Sequence, residues 1–281
     1  MKDNFGTAWI EKNIMSFANK LAMQRHLKAI QSAFMSAMPL MIIGSFCLIL
    51  AEPPVDYNTL NSSNIFYGFF KAWAGFAAIA DTPLYFLFDV TLGCLSLYVA
   101  IGVTYFLSKH YSIKPIIPVI VTIVSFLMLN SYKIDGGFSS AFFDGTGLFA
   151  AMIVSLLTTE LYRVLIQKKV GMIRMPDGVP PALANSFEAL VPVTIMSVLT
   201  MLLGHAITTL TGTTFPQIVL SVITPLIKFV DNVFGVSVIA IIQQVLWWFG
   251  IHDTAIGTVI SPIRDANIAM NASAYAAGTK V

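Results

Sequence analysis

The sequence predicts an all-α polytopic membrane protein, with a regular helical first part followed by a part with broken helices and re-entrant hairpins. Hydrophobic residues make up 57% of the 281 residues and charged residues only 11%, whereas a soluble domain carries about a quarter charged residues. Runs of about 18 or more apolar residues with few charges are typical of transmembrane helices. Five stretches lack Asp, Glu, Lys and Arg altogether, and they cover residues 29–51, 90–108, 115–132, 189–227 and 232–251.

The composition also argues against other classes of protein. The net charge is only +2, so no nucleic-acid partner is expected. Cys47 and Cys94 lie in apolar surroundings, where free cysteine behaves as a small hydrophobe, so neither a disulfide framework nor a metal site is expected. No cofactor is expected, and the four histidines show no metal-ligand spacing; they are His26, His110, His205 and His252.

The chain opens with a basic segment, residues 1–28, that carries five lysine or arginine residues. It lacks the compact apolar region of a cleavable signal peptide and has the pattern of an amphipathic helix on a membrane surface. Residues 29–51 form the first predicted span. Ala29, Ala33 and Ala37 recur there at every fourth position, and such a stripe of small residues lets another helix approach closely.

The next apolar segment, residues 65–80, leaves two alternatives open. It is rich in aromatic residues but short, and it contains Lys71, so it forms either a short span or an interfacial helix. The Asp-Thr-Pro sequence at 81–83 is expected to break it from a longer span at 84–107, because proline cannot donate a helical hydrogen bond.

Charge in the loops predicts the orientation of the spans. The N-terminal segment, residues 108–115 and residues 163–178 are basic, and basic loops tend to stay in the cytoplasm. The loop at 52–58 has two acids and no base and is expected outside. These assignments agree with each other only if residues 65–80 do not fully cross the membrane, and we favour that alternative.

Two further spans, residues 116–132 and 147–166, complete the regular part. Between them, "KIDGGFSSAFFDGTG" places two glycine turns around alternating Phe and Ser residues, which predicts a small hairpin outside the bilayer. We therefore assign residues 29–166 to a transmembrane scaffold domain and residues 167–178 to a basic cytoplasmic linker.

The pattern changes in residues 179–281. A Thr-rich span at 190–211 ends at "TGTTFP", and the apolar segments that follow, at 217–230, 233–251 and 254–263, are short or interrupted by Gly and Pro. Transporters build their binding sites from such discontinuous helices near the middle of the membrane, since backbone freed by the breaks must line protein or a wet cavity. The sequence therefore predicts a substrate site in this second part.

The stretch "WWFGIH" ends one of these segments on an ionisable residue. Trp247 and Trp248 offer flat faces that suit sugar rings, and Gly250 permits a sharp turn. An ionisable side chain at membrane depth, here His252, favours a functional site. The alternative is a histidine at a helix end beside an interfacial belt of aromatic residues, and the residues alone leave both interpretations open.

Other polar residues also stand in apolar surroundings. Asn185 and Ser186 lie between prolines and either cap a helix or bind hydroxyl groups of a ligand. Gln243 and Gln244 lie in a charge-free segment, where each amide needs a partner from another helix or from a substrate. Glu160, near the end of a span, is expected to face water or to pair with a base.

Two motifs together resemble a known family. "MPDGVPPALANSFEALVP" is followed some way later by "WWFGIH", and the opening "FANKLAMQRHLKAIQSAFMSAMPLMIIGSF" resembles the same group. The chain is similar over essentially its whole length to enzyme IIC, the membrane subunit of the bacterial phosphoenolpyruvate-dependent sugar phosphotransferase system. The branch that it resembles handles lactose, cellobiose and N,N′-diacetylchitobiose.

The resemblance implies a multi-pass protein of the bacterial cell membrane that takes a β-linked disaccharide from outside. A cytoplasmic IIB partner, phosphorylated on cysteine, then phosphorylates the sugar. The resemblance further implies homodimers formed through residues 29–166 and a sugar-binding transport domain in residues 179–281.

The resemblance also assigns roles to individual residues. His252 aligns with the motif histidine at the sugar hydroxyl that receives the phosphoryl group. Trp247 and Trp248 belong to the same motif and would stack on the sugar, while Asn185 and Ser186 belong to the other motif and would help to form the pocket. Gln243 and Gln244 are expected to bind further hydroxyls.

Two departures from the family pattern leave an alternative open. Asp253 stands where the motif has glycine, and a carboxylate beside His252 favours the imidazolium form and would repel a phosphorylated partner. The family also has a later motif with an acidic residue, and no residue of this sequence aligns with it. We therefore expect a truncated gene, a fragment or a shortened paralogue, and the alternative function is a non-transporting membrane partner that dimerises with other subunits.

Overall fold

The computed structural model describes residues 23–171, 173, 176, 180–248 and 254–279, and the described part is built almost entirely of α-helices. The predicted all-α fold is therefore confirmed. The helices of the first part are α1 (Arg25–Ala51), α2 (Tyr67–Thr91), α3 (Leu95–His110), α4 (Ile116–Asn130) and α5 (Leu148–Gln167). Those of the second part are α6 (Pro181–Thr211), α7 (Phe215–Asp231), α8 (Val233–Trp248) and α9 (Thr254–Ala276).

Short elements connect these helices. Single 3₁₀ turns occupy Tyr57–Thr59, Leu92–Cys94 and Gly145–Gly147. The predicted hairpin is confirmed, since β1 (Lys133–Ile134) and β2 (Gly137–Phe138) pair antiparallel. Its turn contains Gly136, whose φ of 81° lies in a region that glycine enters without steric cost.

The helices have the length and composition of a membrane protein. In the described part of the chain, four helical segments are long and apolar enough to cross a bilayer, namely Arg25–Ala51, Tyr67–His110, Gly145–Gln167 and Phe187–Thr211. The pair formed by Phe215–Phe229 and Val233–Gln244 also passes this test, but it is bent by 74°. The prediction of a helical part followed by a broken helix is thereby confirmed. The span predicted at 116–132 is a shorter apolar helix of 15 residues, Ile116–Asn130, which does not reach the length of the four segments above.

The stripe of small residues on α1 is the contact surface for α3. Ala29, Ala33 and Ala37 are all buried. At Gly102 on α3, an ideal Cβ would lie 2.8 Å from the Cβ and 3.0 Å from the Cα of Ala33, so the two backbones touch through glycine and alanine. The predicted close approach is confirmed, and its partner is α3.

Helix α2 packs against the C-terminal end of α1. The indole Nε1 of Trp73 donates to the Leu50 carbonyl at 3.0 Å, and the Tyr85 hydroxyl donates to Glu52. The Thr91 hydroxyl oxygen lies 2.6 Å from an ideal Cβ on Gly44. From Tyr85 to Thr91, α2 therefore runs antiparallel beside the last turns of α1.

The expected break at residues 81–83 is wrong. Helix α2 continues through Pro83 to Thr91, and a single 3₁₀ turn at Leu92–Cys94 then precedes α3. A proline inside a helix removes only one backbone hydrogen bond directly, and neighbouring helices can accommodate that loss in apolar surroundings. The span expected at 84–107 is thus divided between the end of α2 and α3.

Two expectations for the second part are also wrong. Helix α6 begins at Pro181, so Asn185 and Ser186 lie inside it and do not cap its N-terminus. Proline suits a first helical position because it has no backbone N–H, and an N–H there would have no partner within the helix. The short segment expected at 254–263 belongs to α9, which passes through Pro262 and ends at Ala276.

The second part packs directly on the first. Ala266 and Ala269 of α9 are fully buried in the hydrophobic cluster that contains Ala33 of α1. An ideal Cβ on Gly145 would overlap the backbone nitrogen of Met270, so the loop before α5 meets the α9 backbone with no side chain between them. The two parts therefore share one core.

Candidate functional site

Four of the predicted site residues, Gln243, Gln244, Trp247 and Trp248, lie on α8, which follows α7 after a sharp corner. The Asn232 side chain forms hydrogen bonds to the end of α7 and to the start of α8. Its Nδ2 donates to the Lys228 carbonyl at 3.0 Å, and its Oδ1 accepts from the Gly235 N–H at 2.8 Å. A Cβ on Gly235 would overlap the Phe229 carbonyl oxygen. Asn232 and Gly235 thus allow the 74° bend and set the direction of α8.

Helix α8 carries the two glutamines and the two tryptophans. Gln243 is partly buried and Gln244 is exposed. Gln243 and Trp247 share one helical face because they are four residues apart, and Gln244 and Trp248 share the neighbouring face for the same reason. The side chains of both tryptophans lie outside the part that the structure describes.

The remaining predicted residues are placed only in part. His252 and Asp253 fall outside the described residues. Asn185 and Ser186 lie on the first turns of α6, and their side chains are likewise outside the described part. A shared pocket of these residues and α8 therefore stays a prediction.

A polar cluster that sequence reasoning largely missed joins α1, α3 and α5. Glu160 Oε1 lies 2.7 Å from His26 Nε2, and Glu160 Oε2 lies 2.9 Å from Arg163 Nη2. The Tyr111 hydroxyl also donates to Glu160. We call Gln24, His26, Tyr111, Glu160 and Arg163 the Glu160 cluster.

The neighbours of His26 fix its tautomer. Gln24 Oε1 caps α1 by accepting from the Leu27 N–H at 2.7 Å, so the other end of the amide, Nε2, faces His26 Nδ1 at 2.8 Å. Because an amide NH₂ only donates, Nδ1 is the acceptor and Nε2–H donates to Glu160.

Tyr111 is held between this carboxylate and two cations. Desolvation by burial and the hydrogen bond to Glu160 raise the pKa of Tyr111 to about 12. The guanidinium carbons of Arg163 and Arg25 lie 4.3 Å and 5.3 Å from the centre of its ring, within cation–π range. The expectation that Glu160 pairs with a base is confirmed.

The Glu160 cluster brings the basic segments to one end of the helix bundle. Its contacts join the start of α1 to the ends of α3 and α5. Among the described residues, the exposed cations near this end are Arg25, Lys28, Lys109, Lys114, Lys168 and Lys169. We call this region the basic end. Glu52, Asp56, Asp135 and Asp144 lie in loops at the opposite ends of the same helices, together with one exposed cation, Lys133. That end therefore carries a net negative charge, and the basic end a positive one.

No metal centre is formed by the residues described. Within this part of the chain, no group of three His, Cys, Asp or Glu side chains is arranged to hold a metal ion. The carboxylate of Glu160 is paired within the cluster and ties helices together, while the buried Nε of Arg163 has no hydrogen-bond partner among the residues that the structure describes.

Comparison with known proteins identifies the family of the chain. The model of the family described as "Phosphotransferase system, EIIC" matches residues 31–281. A cellobiose-specific EIIC component of Geobacillus stearothermophilus is 33% identical over 270 residues, covering 90% of this chain and 57% of that protein. An oligo-beta-mannoside-specific EIIC component of Bacillus subtilis is 30% identical over 282 residues, covering 97% and 61%.

A solved structure agrees with this match. The transporter ChbC, the IIC component of an N,N'-diacetylchitobiose-specific phosphotransferase system, superposes with a TM-score of 0.81 at 30% identity and covers 97% of this chain and 64% of that one. The chain thus spans about three fifths of the length of the relatives that it matches. On the family match and the shared helical architecture, the chain belongs to the phosphotransferase system EIIC family.

Proposed function

We propose that this chain forms the membrane-translocating part of a phosphotransferase-system permease for a β-linked disaccharide of the cellobiose, lactose or diacetylchitobiose type. The observation that carries the proposal is the EIIC family match over residues 31–281. The relatives named above handle β-linked sugars, which supports this substrate class.

Helix α8 would present the sugar-binding groups. The bend of 74° between α7 and α8 supports a broken helix of the kind that lines transporter sites. Trp247 and Trp248 would stack on the apolar faces of the sugar rings. Gln243, Gln244, Asn185 and Ser186 would bind its hydroxyl groups, because a hydroxyl left unpaired in apolar surroundings costs free energy.

His252 would act at the hydroxyl that receives the phosphoryl group. Phosphoryl transfer depends mainly on positioning and on stabilisation of charge, so His252 would hold this hydroxyl in line with the phosphate carried by a IIB partner. Movement of α8 against the first part, on which α9 stays packed through the Gly145–Met270 contact, would then expose the site to each side in turn.

The basic end and the N-terminus would both face the cytoplasm. Six exposed cations gather there, in agreement with the tendency of basic loops to remain inside, and they would favour the approach of a phosphorylated partner. We also propose that residues 65–80 do not fully cross the membrane, because only then do the charges of the loops on either side agree with this orientation. The first part would form the homodimer contact.

Sugar uptake by cells provides the test. The chain would be expressed together with its IIB partner in a bacterium whose own β-glucoside carriers are deleted, and uptake of labelled cellobiose, lactose and diacetylchitobiose would be measured. We expect uptake of at least one sugar and a loss of about 10²-fold or more for His252→Ala, as for the removal of one group that stabilises transferred charge. His205→Ala, which changes a histidine on α6, serves as the matched control.

Two results would contradict the proposal in different ways. Uptake that survives His252→Ala unchanged would show that the assignment of His252 is wrong. No uptake of any of the three sugars, with the protein present in the membrane, would favour the alternative of a non-transporting partner.

A further inference from the structure

An apolar groove runs between the two parts of the protein along α5 and α6. Its volume is about 490 Å³, and α4, α5, α6 and the start of α7 line it. Exposed leucines line the groove on both sides, namely Leu157 and Leu161 on α5 and Leu199 and Leu203 on α6. Leu157 has 63% of its surface exposed, so the groove opens sideways, toward the side of the bundle.

The groove has the length of one half of a bilayer. On α5 its lining extends from Ile153 to Val164, which is about 16 Å at roughly 1.5 Å per residue. Half of the hydrocarbon core of a bilayer measures about 15 Å. An acyl chain lying in the groove would therefore reach from the middle of the membrane to its surface at the basic end.

Two lysines, Lys168 and Lys169, follow α5 just beyond the end of the groove that lies at the basic end. Lys168 follows α5 and lies about one helical turn, or about 6 Å, beyond Val164. The next residue, Lys169, has a positive φ of 53°, so the helix ends there. A Cβ on Gly171 would overlap the side chain of Val191 on α6, so the turn that carries the lysines is pressed against α6. Both lysine side chains are exposed.

The carboxylate in the groove does not cancel this positive charge. Glu160 lines the groove, but its oxygens are occupied by Arg163, His26 and Tyr111. Glu188, partly buried on α6, comes three residues before Val191, which Gly171 contacts, and is one acid against the two lysines. Lys168 and Lys169 thus leave a net positive charge where a lipid phosphate would lie.

We propose that the groove between α5 and α6 binds an anionic phospholipid, with an acyl chain along Leu157 and Leu161 and the headgroup phosphate at Lys168 and Lys169. The apolar length, the sideways opening and the lysine pair at the surface end together match such a lipid. Because α5 belongs to the first part and α6 to the second, the bound lipid would bridge the two parts. This site is separate from the proposed sugar site and does not depend on sugar transport.

Lipid binding to the purified chain tests the proposal. Dioleoylphosphatidylglycerol and dioleoylphosphatidylcholine would be titrated into the protein in detergent, and bound lipid counted by native mass spectrometry. We expect phosphatidylglycerol to bind more tightly and the double variant Lys168→Gln/Lys169→Gln to lose about tenfold or more of that affinity, since each lysine near an anionic headgroup contributes about fivefold. The matched control is Lys109→Gln/Lys114→Gln, which removes two cations from the basic end near α3 and α4.

A second variant keeps the test decisive. Leu161→Trp fills the groove without changing charge and should lower the binding of both lipids; circular dichroism establishes that each variant is folded. The proposal is wrong if the Lys168/Lys169 variant keeps the full preference for phosphatidylglycerol, or if the control variant loses it equally. It is also wrong if Leu161→Trp leaves lipid binding intact but separates a dimer into monomers, because a second copy of the chain would then cover the groove.

Discussion

At the scale of single residues, one carboxylate joins three helices. Glu160 on α5 bonds His26 at the start of α1 and Tyr111 at the end of α3, besides its neighbour Arg163. The spacing of three residues between Glu160 and Arg163 is visible in the sequence, since such pairs meet on one helical face. His26 lies 134 residues away, and no local pattern predicts that contact.

Glu160→Gln should destabilise the packing of α1 and α3 on α5. The amide keeps the size of the side chain but removes the negative charge, and a hydrogen bond to a charged group contributes about 2 kcal/mol. We expect a loss of about that size in the free energy of unfolding and a lower melting temperature in detergent. Glu188→Gln, the same change on α6, is the control, and an equal loss in both variants would contradict a special role for Glu160.

Tyr111 predicts a dependence of stability on alkaline pH. Its pKa is raised to about 12 in the folded protein, above the value of about 10 for an unperturbed tyrosine, so the neutral phenol stabilises the fold. This contribution is complete below pH about 10 and is lost as the pH rises through about 12, because the unfolded chain releases the proton first. Melting curves of the protein and of Tyr111→Phe should differ most below pH 10 and converge above it, and a constant difference would contradict this linkage.

At the scale of helices, the contact of α1 with α3 depends on the absence of a side chain. Gly102→Ala would place a Cβ 2.8 Å from that of Ala33, so the helices must separate, and we expect a loss of about 1–3 kcal/mol, as for other overpacked cores. Gly75→Ala on α2 is the matched control because a Cβ there meets nothing within 4 Å. Alanine is the better helix former, so the control should be neutral or slightly more stable in thermal melts.

The corner between α7 and α8 also requires a residue without a side chain. Gly235→Ala would force a Cβ into the Phe229 carbonyl oxygen and should turn α8 away from its present direction. We expect sugar uptake to fall sharply while the protein still inserts into the membrane. Gly204→Ala on α6, where the nearest atoms stand at ordinary contact distance of 3.4 Å, should leave uptake nearly unchanged; equal effects of the two changes would show that the corner does not direct α8.

The sequence predicted the existence of most helices but placed several of their ends wrongly. Long apolar runs and the glycine turns of the hairpin are local signals, and those elements were predicted correctly. Pro83 and Pro262 suggested breaks, yet α2 and α9 pass through them, because packing against other helices outweighs one missing backbone bond. For the candidate site, the glutamines and tryptophans were correctly expected on an apolar segment, whereas their partners depend on tertiary contacts.

At the scale of the whole molecule, the asymmetry of charge predicts which end faces the cytoplasm. In a variant with Cys47 and Cys94 replaced by serine, a new cysteine at Asp56 should react with a membrane-impermeant maleimide in intact cells. One at Lys114 should react only after the cells are opened, since the basic end would lie inside. The reverse pattern would overturn the proposed orientation.

The contact of Gly145 with α9 has a practical consequence for measuring motion in this protein. Two backbones that touch without an intervening side chain leave little freedom to slide, because any displacement creates either overlap or a void. The Gly145–Met270 contact can therefore serve as a reference point from which spectroscopic distances to other parts of the protein are measured. Spin labels on the outer face of α8 should change their distance from this origin when sugar binds, while labels on α1 should keep theirs.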